Sequence, residues 1–332
     1  MSRKRKFLFV LAVLLAVVCF IGLYIWVQAD RRQERERLAL LQDEDHVYTV
    51  NFGGTWYRLR RNLDTYLLIG IDKDSDRLEN LDPEAKLNNL QSDFLMLVAV
   101  DRDSGTVTAL QINRDTMAEI PRIGKAGERI APVTQQLALA HTYGSGGRDS
   151  CVNTVHAVSG LLYDLLIDHY VSVTMDAVPV LTDLAGGVPV YVEDDFHLDA
   201  LKQGETVTLH GDLALTFVRS RMSVADGSNL NRMNRQRVYL NSLYDRLREK
   251  MQEDGFALRL AKELSEYTVS DMLTEELAKA AEQVDSCRFT GIEVLPGEAV
   301  KGEVYIEFYP DEPALQELLI QLLFEPVPAA AS

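Results

Sequence analysis

Hydrophobic and polar positions follow three regimes along this 332-residue chain. The first is an uncharged run over residues 7–27, FLFVLAVLLAVVCFIGLYIWV. At about 1.5 Å per helical residue, such a run crosses a hydrocarbon core of roughly 30 Å. It closes on Tyr24, Ile25, Trp26 and Val27, an interfacial aromatic anchor rather than the small-residue site that ends a cleaved signal peptide. The second regime, DRRQERERLALLQDED at 30–45, is mostly charged and reads as a juxtamembrane helix or stalk. From residue 64 the pattern changes again, to short β-branched and aromatic runs alternating with helical stretches. Strands are predicted at 66–71, 94–100, 107–112, 170–175 and 188–192, then at 289–295 and 304–308. Helices are predicted at 151–166, 177–184, 213–218, 232–251, 256–267, 274–284 and 312–324. Strands that are almost continuously apolar are buried on both faces and need helices on both sides. The expected fold is α/β, a three-layer αβα sandwich with a mixed central β-sheet, preceded by one N-terminal transmembrane helix. No Pro/Gly/Ser linker interrupts 64–326, which reads as one domain. The remaining boundaries are a cytoplasmic tail at 1–6, the span at 7–27, a stalk at 28–63 and a tail at 327–332.

Charge adds orientation and excludes one class of partner. The formal net charge is −16, to which residues 1–29 contribute +4 through Arg3, Lys4, Arg5 and Lys6, so the remainder carries −20. Basic residues ahead of the span place the N-terminus in the cytoplasm and the body outside, as a single-pass protein of the cell membrane. A body this acidic repels the phosphate backbone, so nucleic acid is excluded as a partner. An anionic ligand must then enter through a local basic cluster. Of three cysteines, Cys19 falls in the span, while Cys151 and Cys287 fall outside. A disulfide between Cys151 and Cys287 is expected on compartment grounds, and no CxxC spacing suggests zinc.

Candidate chemistry collects at strand ends, where α/β folds build their sites. Gly70-Ile71-Asp72, Gln91-Ser92-Asp93 and Asn113-Arg114-Asp115-Thr116 each place polar groups beside an apolar run. A carboxylate there suits a hard cation such as Mg²⁺, and equally a turn or a helix cap. Farther along, Arg219 and Arg221 end one segment and Arg232, Arg235 and Gln236 open a helix. The last three stand at i, i+3 and i+4 on one face. Guanidiniums at a helix N-terminus make a phosphate site, the alternative being a solvated charged face.

The ordered segments LLIGID, QSDFLMLVAVD, INRDT, AHTYG, DLAGGVPVYVEDDF, LTFVRSR and NLNRMNRQR resemble the LytR–CpsA–Psr family of bacterial envelope proteins. The similarity runs over roughly 64–250, with a family-like tail at 285–324. The resemblance implies an enzyme, a Mg²⁺-dependent phosphotransferase facing the cell wall. Its substrate would be a glycopolymer (teichoic acid or capsule polysaccharide) carried on undecaprenyl pyrophosphate. It would be moved to peptidoglycan, typically to the C6 hydroxyl of N-acetylmuramic acid, with a pyrophosphatase side activity. Position by position, Asp72 and Asp93 match the metal-binding aspartates. Asp93, Arg114, Arg219 and Arg221 match catalytic positions, and Arg114, Arg219, Arg221, Arg232, Arg235 and Gln236 match the pyrophosphate ligands. An apolar tunnel for the lipid is expected between sheet and helices, with residues 94–100 and 157–166 as candidate lining. Two departures stand out. Gln91 replaces the arginine of the family's Arg-Ser-Asp, and Gln136-Leu137-Ala138 stands where a Lys-Ile-Asn is usual; Lys125 and Arg129 are the nearby cations. Their loss suits an alternative function, a non-catalytic polyprenyl-pyrophosphate-binding or regulatory envelope protein.

Overall fold

The computed structural model describes residues 49–73, 88, 90–123, 129–221 and 224–327. The expected span at 7–27, the tail at 1–6 and most of the stalk lie outside these residues. Among the described residues, no helix is long and apolar enough to cross a membrane. The chain divides into two compact units, the smaller ending at Leu59 and resuming at Pro326, the larger covering Arg60–Glu325.

In the smaller unit, strands β1 (Thr49–Phe52) and β2 (Thr55–Leu59) form a hairpin with Phe52 opposite Thr55. Gly53 and Gly54 both take positive φ, 59° and 82°, as a two-residue turn matched to strand twist requires. The hairpin falls within 28–63, the segment that the sequence pattern assigns to a stalk.

The larger unit is built on a six-stranded mixed sheet. Its strands are β3 (Leu63–Lys73), β4 (Leu90–Asp101), β5 (Thr106–Ile112), β8 (His169–Thr174), β11 (Thr268–Ser270) and β12 (Arg288–Val294), in the order β11-β8-β3-β4-β5-β12. Strands β3, β5, β8 and β12 run parallel, while β4 and β11 run against them. Three hairpins flank the sheet: β6 (Met117–Ile123) with β7 (Arg129–Gln136), β9 (Val188–Tyr191) with β10 (Thr206–Leu209), and β13 (Gly297–Lys301) with β14 (Ile306–Pro310). The helices are α1 (Arg148–Leu161), α2 (Ala177–Leu184), α3 (Gly211–Arg219), α4 (Asn229–Lys250), α5 (Phe256–Glu263), α6 (Thr274–Ser286) and α7 (Glu312–Leu323). The predicted helix at 151–166 stops earlier because Tyr163 and Asp164 take positive φ and turn the chain toward β8. The one predicted at 256–267 splits into α5 and a single 3₁₀ turn, Ser265–Tyr267. The β6–β7 hairpin was not foreseen, since Pro121 and Pro132 argue against strands.

Helices cover both faces of the sheet, and the two faces are packed differently. Along β3, Thr65, Leu67, Ile69 and Ile71 are buried while Tyr66, Leu68, Gly70 and Asp72 are only partly so. The buried face meets α1, whose Cys151 contacts Ser172, the register partner of Ile69. On the other face Tyr66, Val98, Val100 and Val107 pack against Val284, Cys287 and Phe289. There Leu68, Phe94, Val98, Val171, Val173, Ile292 and Val294 keep accessible surface, although they lie within the central sheet. Among the described residues, the helices on that face leave its apolar side chains partly accessible.

This arrangement overturns the expected disulfide. Cys151 and Cys287 are both free and buried, on opposite faces of the sheet. Cys151 Sγ lies 3.9 Å from His141 Nε2, whereas Cys287 packs with Val100 and Val107. A compartment that permits a disulfide does not bring two thiols within the roughly 7 Å between Cα atoms that one needs.

Candidate functional site

The site forms where β3 and β5 end and β4 begins. Pairing of β3 with β4 slips at Gly70–Ile71: Gly70 faces Phe94 and Ile71 faces Ser92, leaving Asp93 as the extra residue. Such a bulge re-aims a side chain. Glycine is needed opposite it, because a Cβ at Gly70 would lie 2.8 Å from Phe94 Cβ.

Asp93 is gripped by two buried arginines. Arg114 Nη1 donates to Asp93 Oδ1. Arg232 Nη1 donates to Asp93 Oδ2 at 3.1 Å, and its Nη2 reaches the Asp93 carbonyl at 3.4 Å. Arg114 and Arg232 are 2% and 5% exposed, so neither charge is shared with bulk water. The first turn of α4 delivers Arg232: Ser228 caps the helix by accepting from Asn231 N at 3.2 Å. Asn229 Oδ1 then accepts from Arg232 Nε and Nη2 at 3.1 and 2.7 Å. Asn229 Nδ2 donates to Asn113 Oδ1 at 2.6 Å, tying α4 to the end of β5. The sequence marks Asn113 within its strand-end segment, whereas for Asn229 the neighbouring capping residue Ser228 is the available signal.

Arg219 and Arg221 sit at the end of α3. The helix stops at Arg219 and Ser220 is extended, with ψ 136°, so the two arginines escape the helical divergence of about 200°. Arg219 chelates Asp72 through Nε and Nη2 at 2.8 and 2.9 Å. Arg221 Nε donates to the Gly227 carbonyl at 3.0 Å. Burial pushes the Arg232 guanidinium down to about 10; Asp93 opposes the shift, and nearby Arg114 and Arg221 reinforce it. It stays charged at neutral pH. Burial alone would lower Arg114 too, but Asp93 and Asp115 hold it above the ordinary arginine range. Among the described residues, Arg114, Arg219, Arg221 and Arg232 gather here with Asp72, Asp93 and Asp115, and the repulsion that Arg114 and Arg221 exert on Arg232 is one that a bound anion would relieve.

Arg235 and Gln236 do not join this cluster. Arg235 Nε donates to the Phe217 carbonyl at 3.3 Å, Nη1 to Asp194 at 2.8 Å and Nη2 to the Ser220 carbonyl. Its guanidinium also lies 5.4 Å from the Phe196 ring centre. Gln236 accepts from Gln111 at 3.2 Å and donates to the Val218 carbonyl at 3.4 Å. Both hold the α3 end that carries Arg219 and Arg221. Helical spacing correctly put them on one flank of α4 but could not show which groups faced that flank.

At this end of the sheet, the buried Gln91 Nε2 and Asp115 Oδ2 have no hydrogen-bond partner among the described residues. Gln136 is committed to Asp115 Oδ1 at 3.3 Å and the Ile306 carbonyl at 2.6 Å. No group of three metal-ligating side chains occurs among the described residues. A hard cation of the Mg²⁺ type needs only one or two carboxylates and completes its shell with water and phosphate oxygens. Asp72 and Asp93 are carboxylates of that kind, each bound to arginine side chains.

Comparison with known proteins shows what the chain resembles. The family model described as the LytR_cpsA_psr family matches residues 24–322. The polyisoprenyl-teichoic acid–peptidoglycan teichoic acid transferase TagU of Halalkalibacterium halodurans is 32% identical over 155 residues, 46% of each chain. TagV of Bacillus subtilis, described in the same words, is 31% identical over 166 residues, 47% of this chain and 39% of that one. The chain thus spans about half the length of the curated relatives it matches. Among solved structures, B. subtilis TagT aligns with a TM-score of 0.57 at 22% identity, covering 79% of this chain and 90% of that one. At that identity the likeness speaks for the fold alone.

Proposed function

The chain belongs to the LytR_cpsA_psr family, and from that premise we propose that it is a phosphotransferase. It moves a glycopolymer from a polyprenyl-pyrophosphate carrier to peptidoglycan. The relatives TagU and TagV are named as polyisoprenyl-teichoic acid–peptidoglycan teichoic acid transferases. The observation that carries the reading is Asp93, clasped by the buried Arg114 and Arg232 at one end of a sheet face whose apolar side chains stay partly open. A pyrophosphate has a cationic end here and its lipid an apolar floor beside it.

In this reading the acceptor hydroxyl attacks the sugar-bearing phosphorus and the bond to the bridging oxygen breaks. The hydroxyl proton passes to solvent and polyprenyl monophosphate leaves. The arginines bind and orient the two phosphates, and their charge offsets the charge that builds on the phosphoryl oxygens. Arg114, Arg232 and Arg221 face the phosphates, and Arg219 fixes Asp72 beside them. Asp72 and Asp93 would hold Mg²⁺, which adds charge neutralisation to the same oxygens when bound. Arg235 and Gln236 keep the Arg219–Arg221 turn in place. The uncharged run at 7–27 supports a membrane anchor with the body outside, where the acceptor is.

The test supplies the full chain with a polyprenyl-pyrophosphate-linked teichoic acid, Mg²⁺ and a muropeptide. Equal amounts of polymer–muropeptide diester and polyprenyl monophosphate are expected. Saturable binding of the lipid with neither product would overturn the transferase reading in favour of a binding protein.

A further inference from the structure

One cation on the site helix is left over by this account. Arg237, on α4, is partly buried and has no carboxylate within salt-bridge distance among the described residues. It donates only to neutral amide oxygens, from Nη1 to Gln111 Oε1 at 2.9 Å and from Nη2 to Asn234 Oδ1 at 3.1 Å. Gln111 is 1% exposed and is itself fixed by Gln236. Burial is the sole influence on the Arg237 guanidinium, which it lowers. A partly desolvated, unneutralised guanidinium costs stability unless a ligand answers it.

Its position says which ligand. Gln111 pairs with Met96 and with Val294, so it lies on the open apolar face of the sheet. Measured along β5, Gln111 is two residues before Asn113, about 7 Å deeper into the body than the Asn113–Asn229 contact. Along α4, Arg237 lies five residues beyond Arg232, about 7.5 Å. Two rulers from different elements put Arg237 one step inward from the Asp93 cluster, where the cationic site gives way to the apolar floor.

We infer that Arg237, held by Gln111 and Asn234, contacts the lipid-side phosphate of the carrier, the phosphate that departs as polyprenyl monophosphate. The inference rests on the phosphotransferase reading above. A carrier with its chain on the apolar floor has its sugar-side phosphate at Arg114 and Arg232 and its lipid-side phosphate one step inward. When the bond between bridging oxygen and sugar-side phosphorus breaks, the electron pair stays on the departing phosphate. A guanidinium at that place holds both the leaving group and the product.

The test measures binding of geranyl pyrophosphate, geranyl monophosphate and geraniol to the full chain in detergent, by calorimetry. Arg237→Leu is expected to lose about tenfold in affinity for the monophosphate, the size of one charge-assisted hydrogen bond. Geraniol binding should stay unchanged, and Arg237→Lys should recover most of the loss. Thermal unfolding checks each variant, and Arg237→Gln, which keeps an amide for Gln111, replaces the leucine variant if that one unfolds. Monophosphate affinity within twofold of the parent overturns the inference. So does a parallel loss for geraniol, which would mark Arg237 as a packing residue. If the parent protein binds none of the three ligands, the phosphotransferase reading falls and this inference with it. If the parent binds pyrophosphate and the variants keep the monophosphate, this inference alone falls.

Discussion

Replacing Asp93 by Asn probes the heart of the site, because that carboxylate answers two guanidiniums at once. Arg114 and Arg232 are 2% and 5% exposed, so Asp93→Asn leaves two charges with almost no access to water. Breaking one buried pair by removing a partner costs about 3–5 kcal/mol. Arg114 keeps Asp115 at 3.3 Å and Arg232 keeps the Asn229 oxygen, which argues for the lower end, about 3 kcal/mol. For a unit of this size, each kcal/mol moves the melting temperature by about 2–4 °C. Asp93→Asn should therefore melt about 6–12 °C below the parent. The same change makes the pocket more positive. With EDTA present, inorganic pyrophosphate at a hundredfold excess over the variant's Kd should then stabilise the variant by about 2.7 kcal/mol, and the parent by less at the same concentration. Scanning calorimetry of the full chain with and without pyrophosphate reads both effects. A variant that melts with the parent refutes the idea that Asp93 is the counter-charge of the cluster. Equal stabilisation of the two proteins refutes the idea that the cluster receives an anion.

Arg235→Ala should lower stability by roughly 3 kcal/mol, since it strips Asp194 of a buried partner and leaves the Phe217 and Ser220 carbonyls without their donor. A urea midpoint equal to the parent's, with ligand affinity lost, would return Arg235 to the phosphate ligands. Both body cysteines should be fully alkylated in denatured protein without any reductant, as mass spectrometry would record. In the folded state Cys151 should resist labelling at pH 7, because burial pushes its thiol to about 11; a mass 2 Da low for a 151–287 bridge would contradict the structure. His169 Nδ1 donates to the Asp271 carboxylate across 3.0 Å, and that contact holds its pKa above the ordinary value of 6.5. Its stabilising effect is fully present below 6.5 and fades as pH rises through the raised folded value. The urea midpoints of the parent and His169→Gln should therefore converge as pH rises from about 6 toward 8, and a gap that widens instead would refute the pairing.

The strands at the centre of the sheet were legible because their apolar runs outlast any helical period. The helix Ala177–Leu184 was legible because Gly186-Gly187 closes it. The grip of Arg114 and Arg232 on one carboxylate was not, since it depends on a bulge that turns Asp93 and on two asparagines that bind across elements. The aspartates and arginines of the site could be picked out as residue types. Which of them are ligands and which are struts could not, and Arg235 shows why: its partners are two backbone carbonyls and Asp194, groups that periodicity does not place. The hairpin at Gly53-Gly54 is a two-residue turn between short strands with few buried positions, and the charged 30–45 segment beside it extends the stalk pattern over it.

The account stands on a pyrophosphate held at Asp93 with its lipid along the open sheet face. A crystal structure of the protein with geranyl pyrophosphate and Mg²⁺ tests this most directly. It should show phosphate oxygens within hydrogen-bond distance of Arg114 and Arg232, and the prenyl carbons against Leu68, Phe94 and Val98. Density for the ligand at any other place, or a prenyl chain pointing into solvent, would contradict it.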